Sequence, residues 1–244
     1  VCLVGRQRKN SKEIIPQIFE QKRLKCFFDK GKFFYLEYNI RLFFFLLFQR
    51  FDAVCSIDLD TILAGFYACK FKRKICIYDA HEYFTEVPEV VERPKIKRIW
   101  EWVAQHTIPK LKYCYTVCES LQKVFKERYE TDFEVIRNVP FRQTTPTTPL
   151  AFQKPFILLY QGVLNDGRGL EEMIQAMQHL EGVEFWLAGE GDCSDALRHL
   201  SKKLAVENKV KFLGYVQPAE LKIITQQAHL GINLLQNKGL NYYY

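Results

Sequence analysis

The stretch FILLYQGVLNDGRG, residues 156–169, carries the most information about the fold. It begins with a short apolar run, Phe156–Gln161, and passes through a loop with three glycines into a helical pattern over Gly169–Leu180. A short apolar strand, a glycine-containing loop and a helix form the repeating unit of parallel α/β sheets. We therefore predict a strand at Phe156–Gln161 and a helix at Gly169–Leu180.

The same alternation extends in both directions along the chain and predicts two Rossmann-like domains of the α/β class. Each is expected to be a parallel sheet flanked by helices on both faces, the second being incomplete. The further strands are predicted at 1–5, 24–28, 53–57, 74–78, 113–117, 133–136, 183–188, 209–213 and 230–235. The further helices are predicted at 34–50, 61–71, 94–111, 119–129, 194–205 and 218–228.

A segment rich in proline and threonine separates the two sets of strands and shows no periodicity, which is typical of an interdomain linker. The predicted organisation is an N-terminal domain over residues 1–140, a linker over 141–155 and a partial C-terminal domain over 156–244. The chain opens inside a strand pattern at Val1 and ends at Tyr244 soon after another. From this we expect a fragment truncated at both ends.

The net charge of +7 arises entirely in residues 1–50, which hold 11 basic and 4 acidic residues, whereas residues 51–244 hold 24 of each. This basic segment also contains nine aromatic residues between Phe27 and Phe51. Its longest apolar run, Leu42–Phe48, is far shorter than the 20 or so residues of a spanning helix. Two interpretations of the helix predicted at Phe34–Arg50 remain open: a helix buried against the sheet, or a contact with an anionic membrane.

Other properties of the composition exclude several functions. The neutral body and the lack of a nucleic-acid motif argue against nucleic acid as a partner. The eight cysteines form no Cys-x-x-Cys pair and no zinc-type spacing, which favours small buried thiols in a reducing compartment, the cytoplasm.

The loop from Gly162 to Gly169 has the design of a phosphate site. Glycines allow backbone N–H groups to approach an anion, the following helix begins with a partial positive charge, and Arg168 adds a cation. The alternative is a tight strand–helix turn with a surface arginine. The Walker loop and the dinucleotide fingerprint are both absent, and the Gly189-x-Gly191 pattern after the next strand is a weaker signal of the same kind.

Two acidic segments follow strands of the first domain. Asp79, His81 and Glu82 follow one strand, where His81 could act as an acid or base, contact a ligand, bind a metal or lie in the core. Asp58 and Asp60 follow the strand before it. They form a metal-type Asp-x-Asp pattern, but we favour Asp60 as the N-cap of a helix that starts at Thr61.

Taken together, these segments resemble the family 4 glycosyltransferases (glycosyl transferases group 1) of the two-domain GT-B fold. The likeness spans nearly the whole chain and lies in the order of residues 1–5, 78–82, 115–120, 135–140, 159–169, 186–191 and 210–216.

The resemblance implies roles for particular residues. His81 would be catalytic and would face the donor sugar across the cleft. The donor would be held by residues of the second domain: Gly162, Arg168, Gly169, Gly189 and Gly191. The acceptor side would include four residues of the first domain: Gly5, Asp79, Glu82 and Glu119.

The chain departs from the family pattern in two places. Val163 stands where many members have arginine, and Arg168 where they have lysine. The chain also ends before the pair of glutamates, eight residues apart, that members carry after the strand matching Leu230–Leu235. We therefore expect this fragment to be inactive by itself.

The implied function is transfer of a sugar from a UDP- or GDP-sugar to a glycan or lipid-linked acceptor, as in polysaccharide biosynthesis. Configuration would be retained, without a covalent intermediate, cofactor or obligatory metal. The protein would be cytoplasmic, at the inner face of the membrane. The alternatives are a sugar-nucleotide 2-epimerase of the same architecture and a non-catalytic binding module.

Overall fold

The computed structural model of the chain describes residues 1–8, 11, 13–139 and 154–242. The chain divides into two compact units, Val1–Val139 and Pro140–Tyr243. This division falls beside the predicted N-terminal boundary at 140. The predicted linker, 141–155, lies almost entirely outside the described residues and stays a prediction.

The first unit contains six strands and five helices in its described residues. The strands are β1 (Cys2–Gln7), β2 (Glu20–Lys25), β3 (Ala53–Ile57), β4 (Ile75–Ala80), β5 (Tyr113–Thr116) and β6 (Glu134–Val135). The helices are α1 (Gly31–Phe48), α2 (Leu59–Lys72), α3 (Pro88–Val91), α4 (Pro94–Thr107) and α5 (Glu119–Tyr129). The strands pair in parallel as a two-stranded sheet, β1-β2, and a four-stranded sheet, β3-β4-β5-β6.

The core of this unit lies between the four-stranded sheet and helices α2, α4 and α5. Ile62, Trp100 and Phe125 of the three helices are buried there with Tyr78 of β4. Because side chains alternate across a strand, the neighbouring strand residues point to the other face. Those side chains include Ile57, Ile75 and Tyr113, which are 45–46% exposed. The predicted parallel sheet flanked by helices is confirmed, but the described helices leave much of the second face open.

Helix α1 has a buried face and an exposed face, both apolar. Tyr38, Leu42 and Leu46 are buried against Ala64 and Ala68 of α2. The opposite side exposes large apolar side chains at helical spacing, between 48% and 83% exposed: Phe33, Leu36, Ile40, Phe44 and Phe48. We call these five residues the α1 stripe. The interpretation of a helix buried against the sheet therefore holds for one face of α1 only.

The second unit contains four strands and three helices in its described residues. They are β7 (Phe156–Gln161), α6 (Leu170–Ala176), β8 (Val183–Ala188), α7 (Ser194–Lys203), β9 (Val210–Gly214), α8 (Pro218–Gln227) and β10 (Leu230–Gly231). The sheet is parallel with the order β10-β7-β8-β9. The chain thus moves outward from β7 to β9 and returns to pair with the opposite edge of β7. Such a reversal of strand order opens a crevice beyond the carboxyl ends of the two strands.

The predicted elements differ from the observed ones mainly at their ends. The helix predicted at 94–111 ends at Thr107, where the proline at 109 cannot continue its hydrogen bonding, and a 3₁₀ turn, Ile108–Lys110, follows. The helix predicted at 169–180 ends at Ala176. The strand predicted at 230–235 pairs with β7 only over Leu230–Gly231. Among the described helices, none combines the length and the apolarity that crossing a bilayer requires.

Candidate functional site

The crevice between β7 and β10 holds a pocket of about 450 Å³ in the second unit. Its walls come from three segments, namely the end of β7, the β7–α6 loop and the residues after Leu230. The lining residues are Leu159, Tyr160, Gln161, Gly162, Val163, Arg168, Gly231, Ile232 and Asn233. Two residues singled out as phosphate ligands, Gly162 and Arg168, therefore face one cavity, and Arg168 is the cation among the described lining residues.

The backbone at Gly162 needs a glycine. Its φ of +152° lies in a region that L-residues rarely adopt, and an added Cβ would lie 3.1 Å from the Tyr160 hydroxyl. That hydroxyl donates to the carbonyl of Val163 over 2.9 Å, which fixes the start of the loop. The Gly162 N–H donates to the Ala188 carbonyl over 3.1 Å, so it is used inside the protein and does not point to a ligand.

The two other predicted glycines, Gly189 and Gly191, hold the β8–α7 loop against the β7–α6 loop. A Cβ on Gly189 would overlap the carbonyl of Gly162, and one on Gly191 would lie 2.5 Å from the Leu164 carbonyl. Hydrogen bonds join the same loops, since Leu164 N donates to Glu190 O over 3.3 Å. Neither glycine lines the pocket. The close packing of the two loops therefore explains why both positions are glycine.

Gly169 occupies the N-cap position of α6 with φ +65°, and an added Cβ would overlap the Leu234 carbonyl. Its contact therefore ties the start of α6 to the chain that follows β10. The first turn of α6 carries Glu171 and Glu172, whose charges counter the partial positive charge of the helix N-terminus. An anion in the pocket would thus be neutralised by Arg168 more than by the helix.

In the first unit, three residues meet beyond the carboxyl ends of β3, β4 and β6. The His81 N–H donates to Asp58 Oδ1 over 3.1 Å. Asn138 Nδ2 lies 3.3 Å from the His81 ring nitrogen Nε2. His81 is exposed and so is not a core histidine. Asp58 and Asn138, which were not among the predicted site residues, thus hold the backbone and the ring of His81. Asp58 directly follows β3 and Asn138 lies soon after β6, and these positions were the signal in the sequence.

The other predicted residues of this unit lie in different surroundings. Asp79 Oδ2 accepts a hydrogen bond from the Tyr115 hydroxyl over 3.0 Å on the open face of the sheet. Glu119 forms an exposed ion pair with Arg137 at 2.6 Å, which lowers the pKa of the glutamate. Glu82 is half-buried next to His81. Gly5 lies within β1, in the other sheet, and the structure does not bring it to His81 through any hydrogen bond of the described residues.

The interpretation of Asp60 as a helix N-cap is wrong. Helix α2 begins at Leu59, two residues earlier than predicted, and Asp58 occupies the cap position without a side-chain bond to its own helix. The Asp58 carboxylate turns instead to the His81 backbone. Burial raises the pKa of Asp58 to about 7, with Glu82 and Asp60 adding repulsion. Burial likewise raises the pKa of Asp60 to about 6. Among the described residues, no group of three His, Cys, Asp or Glu side chains is arranged to bind a metal ion.

The fold and the position of the pocket define a class of protein. Two units with parallel sheets, the second with a pocket at its switch point, constitute an α/β fold of the GT-B type. Sequence comparison agrees, because residues 142–240 match the profile of the family described as "Glycosyl transferases group 1". The match covers about two fifths of the chain and includes the whole β7–α6 and β8–α7 loop region.

Two curated proteins are similar to part of the chain. The lipopolysaccharide core biosynthesis glycosyltransferase LpsD of Rhizobium meliloti is 29% identical over 99 residues, which are 38% of this chain and 28% of that protein. The uncharacterized glycosyltransferase MJ1607 of Methanocaldococcus jannaschii is 35% identical over 75 residues, 30% of this chain and 19% of that protein. The chain thus matches less than a third of the length of either relative.

Solved structures are similar in fold across most of the chain. Sucrose-phosphate synthase (tll1590) from Thermosynechococcus elongatus has a TM-score of 0.72 at 13% identity, over 99% of this chain and 68% of that one. Anabaena Alr3699/HepE in complex with UDP and glucose has a TM-score of 0.66 at 18% identity, over 88% and 61%. These likenesses establish the GT-B type of fold.

The packing of the two loops predicts the effect of Gly189→Ala. The added methyl group would overlap the Gly162 carbonyl, so we expect the free energy of unfolding to fall by about 2–4 kcal/mol. Urea denaturation measures this loss. The matched control is Gly231→Ala, because a Cβ at that position meets no atom within 4 Å. Equal stability of the two variants would contradict the packing role.

The raised pKa of Asp58 predicts a pH-dependent stability. The folded state binds the proton of the Asp58 carboxyl more tightly than the unfolded chain does. The stability that this proton gives the folded state is therefore full below pH 4 and is lost as the pH rises to about 7. Asp58→Asn keeps an oxygen acceptor for His81 and removes the charge. It should raise the free energy of unfolding at pH 8 by on the order of 1–2 kcal/mol and have little effect at pH 4.

Urea denaturation at several pH values between 4 and 8 tests this. Asp195→Asn, on an exposed position of α7, is the control and should show no such gain at high pH. A change in stability of Asp58→Asn that is independent of pH would refute the assignment.

Proposed function

We propose that the chain is part of a glycosyltransferase that takes its sugar from a UDP- or GDP-sugar. The observation that carries this proposal is the pocket at the β7–β10 switch point, which combines Gly162 and Arg168 within the segment that matches the group 1 family. Two of the similar solved structures are complexes of Anabaena Alr3699/HepE with UDP and with UDP-glucose, which favours a UDP-sugar. Both curated relatives bear the name of a glycosyltransferase.

Arg168 carries the chemistry proposed for the second unit. In the reaction, the bond between the sugar and the diphosphate breaks, and negative charge develops on the departing diphosphate. A guanidinium in the wall of the pocket stabilises that charge and binds two oxygens at once. The Val163 side chain is apolar, so Arg168 provides this charge without a second cation beside Gly162. No cofactor or obligatory metal enters the proposed reaction.

His81 carries the proposed chemistry of the first unit. Its backbone is held by Asp58 and its ring by Asn138, so the exposed ring is oriented before a substrate binds. We assign it to the reacting sugar, with Asp79, Glu82 and Glu119 on the acceptor side. The acceptor is a glycan or a lipid-linked acceptor, and configuration is retained. The lipopolysaccharide core biosynthesis for which LpsD is named supports this acceptor class.

A sugar-nucleotide 2-epimerase and a non-catalytic binding module are the alternatives. An epimerase would interconvert sugar nucleotides when no acceptor is present, and a binding module would bind nucleotide without turnover. Incubation of the whole protein to which the chain belongs with UDP-sugars, with and without a glycan acceptor, separates the three. Release of UDP that depends on the acceptor supports the transferase.

The proposed role of Arg168 predicts the nucleotide affinity of its variants. Arg168→Ala should weaken UDP binding by about tenfold to a hundredfold, since it removes a charge-assisted contact of about 1.5–3 kcal/mol. Arg168→Lys keeps the charge but loses the planar fork, so its loss should be smaller. Isothermal titration calorimetry with UDP and GDP measures both effects.

The matched control is Arg198→Ala. Arg198 lies on α7, outside the pocket lining, and pairs with Glu190 at 2.7 Å. Its loss should leave UDP affinity unchanged. An Arg168→Ala variant with wild-type affinity would remove the phosphate assignment.

We further propose that the first unit contacts an anionic membrane from the cytoplasmic side. The α1 stripe presents five large apolar side chains to solvent on one helix. Lys30 and Lys32 are exposed at the start of this helix. An apolar stripe beside cations suits the boundary between headgroups and acyl chains of an acidic bilayer.

This membrane proposal predicts separate apolar and electrostatic contributions. Phe44→Ser with Phe48→Ser should reduce binding to phosphatidylglycerol vesicles at every salt concentration. Lys30→Glu with Lys32→Glu should reduce it mainly at low salt, where screening is weak. Vesicle co-sedimentation measures both.

The control replaces Ile99 and Ile223 by serine, because both are about half-exposed and lie outside the α1 stripe. This variant should bind vesicles as the wild type does. If charge reversal at Lys30 and Lys32 leaves vesicle binding unaltered, the membrane assignment fails.

A further inference from the structure

A second pocket of about 450 Å³ lies in the first unit, at the edge of the sheet where β4 and β5 begin. This is the opposite edge from His81, which follows the carboxyl end of β4. The pocket is lined by Phe66, Cys69, Lys70, Lys74, Ile75, Cys76, Lys110, Leu111, Lys112 and Tyr113. The proposed sugar transfer does not use these residues.

The rim of this pocket is strongly basic. Four lysines line it, and none of the described lining residues is acidic. Lys74 is paired with Asp52 at 3.0 Å, and Lys110 Nζ lies 3.4 Å from His106 Nδ1. In the described part of the chain, Lys70 and Lys112 form no ion pair. The pocket therefore keeps a positive charge that its own surroundings do not neutralise.

The end of helix α2 does not offset this charge. Its last carbonyls are partly negative, but those of Cys69 and Lys70 accept hydrogen bonds from Lys74 N at 2.8 Å and Arg73 N at 3.4 Å. Lys72 also turns away, because its Nζ donates to the Leu47 carbonyl at the end of α1 over 3.0 Å. The lysine side chains are thus the charged groups that a ligand would meet.

The floor of the pocket is apolar. Phe66 and Leu111 are buried in the core, and Ile75 and Tyr113 continue the floor onto the open face of the sheet. The thiols of Cys69 and Cys76 form part of the wall, with Cys69 Sγ donating to the Ile75 carbonyl over 3.2 Å. A purely polar anion would leave these apolar surfaces in contact with water.

From this combination we propose that the pocket binds a small amphiphile with an anionic head group, such as a fatty carboxylate or a lipid phosphate. The head group lies among Lys70, Lys110 and Lys112, and the apolar chain covers Ile75 and Tyr113. The volume is within the range of small-molecule sites, and apolar walls with a few placed charges are their usual lining. This site is independent of the sugar-transfer proposal and is tested without any assay of transfer.

Decanoate is the probe for a free amphiphile, titrated into the 244-residue chain by isothermal calorimetry. The test variant is Lys110→Glu with Lys112→Glu, which should weaken decanoate binding by about tenfold or more and more strongly at low salt. The matched control is Lys95→Glu with Lys123→Glu, which makes the same change in net charge at exposed positions away from the pocket. It should bind decanoate as the wild type does.

Two further probes separate the head group from the chain. Decanol has the chain without the charge, and inorganic phosphate has the charge without the chain. Both should bind much more weakly than decanoate. Binding of either probe as tightly as decanoate would overturn the amphiphile assignment, and so would equal decanoate affinity of the test and control variants.

Phosphatidylglycerol vesicles, assayed in parallel, identify the source of the ligand. Loss of decanoate binding alone in the test variant identifies a free amphiphile, whereas loss of both decanoate and vesicle binding identifies a bilayer lipid. Alkylation of Cys76, followed by peptide mass spectrometry, gives a second readout. A bound ligand should slow this alkylation in the wild type, and an unchanged rate at saturating decanoate would place the ligand elsewhere and refute the proposal.

Discussion

Parallel pairing of β7 with β8 on one side and with β10 on the other is the constraint on which the candidate donor site depends. It opens a crevice at the carboxyl ends of β7 and β10, because the strand order reverses at β7, with β8 on one side and β10 on the other. The β7–α6 and β8–α7 loops can then pack with their backbones in contact only because Gly189 and Gly191 lack side chains. This contact fixes the loop that begins beside the pocket and carries Arg168 into its wall.

The first unit also places polar groups beyond the carboxyl ends of parallel strands. It holds them by hydrogen bonds rather than by contacts between glycine-containing loops. Parallel strands bring Asp58, His81 and Asn138 to one edge, where two hydrogen bonds hold the histidine. Partial burial of Asp58 and Asp60 disfavours their charged forms, so this edge carries less negative charge near neutral pH than its composition indicates. The charge beside His81 therefore changes within the physiological pH range.

The net charge and the apolar content of a segment do not show where charges and apolar side chains lie on the folded surface. Residues 51–244 are neutral as a whole, yet four of their lysines surround one pocket without an acidic neighbour in its lining. Helix α1, apolar on nearly all sides, divides into a buried face and the exposed α1 stripe. Both features come from folding, because burial decides which charges and apolar groups remain available to a partner.

The sequence by itself determined the α/β class, the order of nearly all strands and helices, and the loop with Gly162 and Arg168. These depend on local periodicity and on residues adjacent in the chain, which short-range sterics and hydrogen bonding control. Only the tertiary structure decided that Gly189 and Gly191 pack between loops and that Asp58 bonds His81. It also decided that four lysines share a pocket: Lys70, Lys74, Lys110 and Lys112. Those contacts join residues distant in sequence, and strand pairing and helix packing alone bring them together.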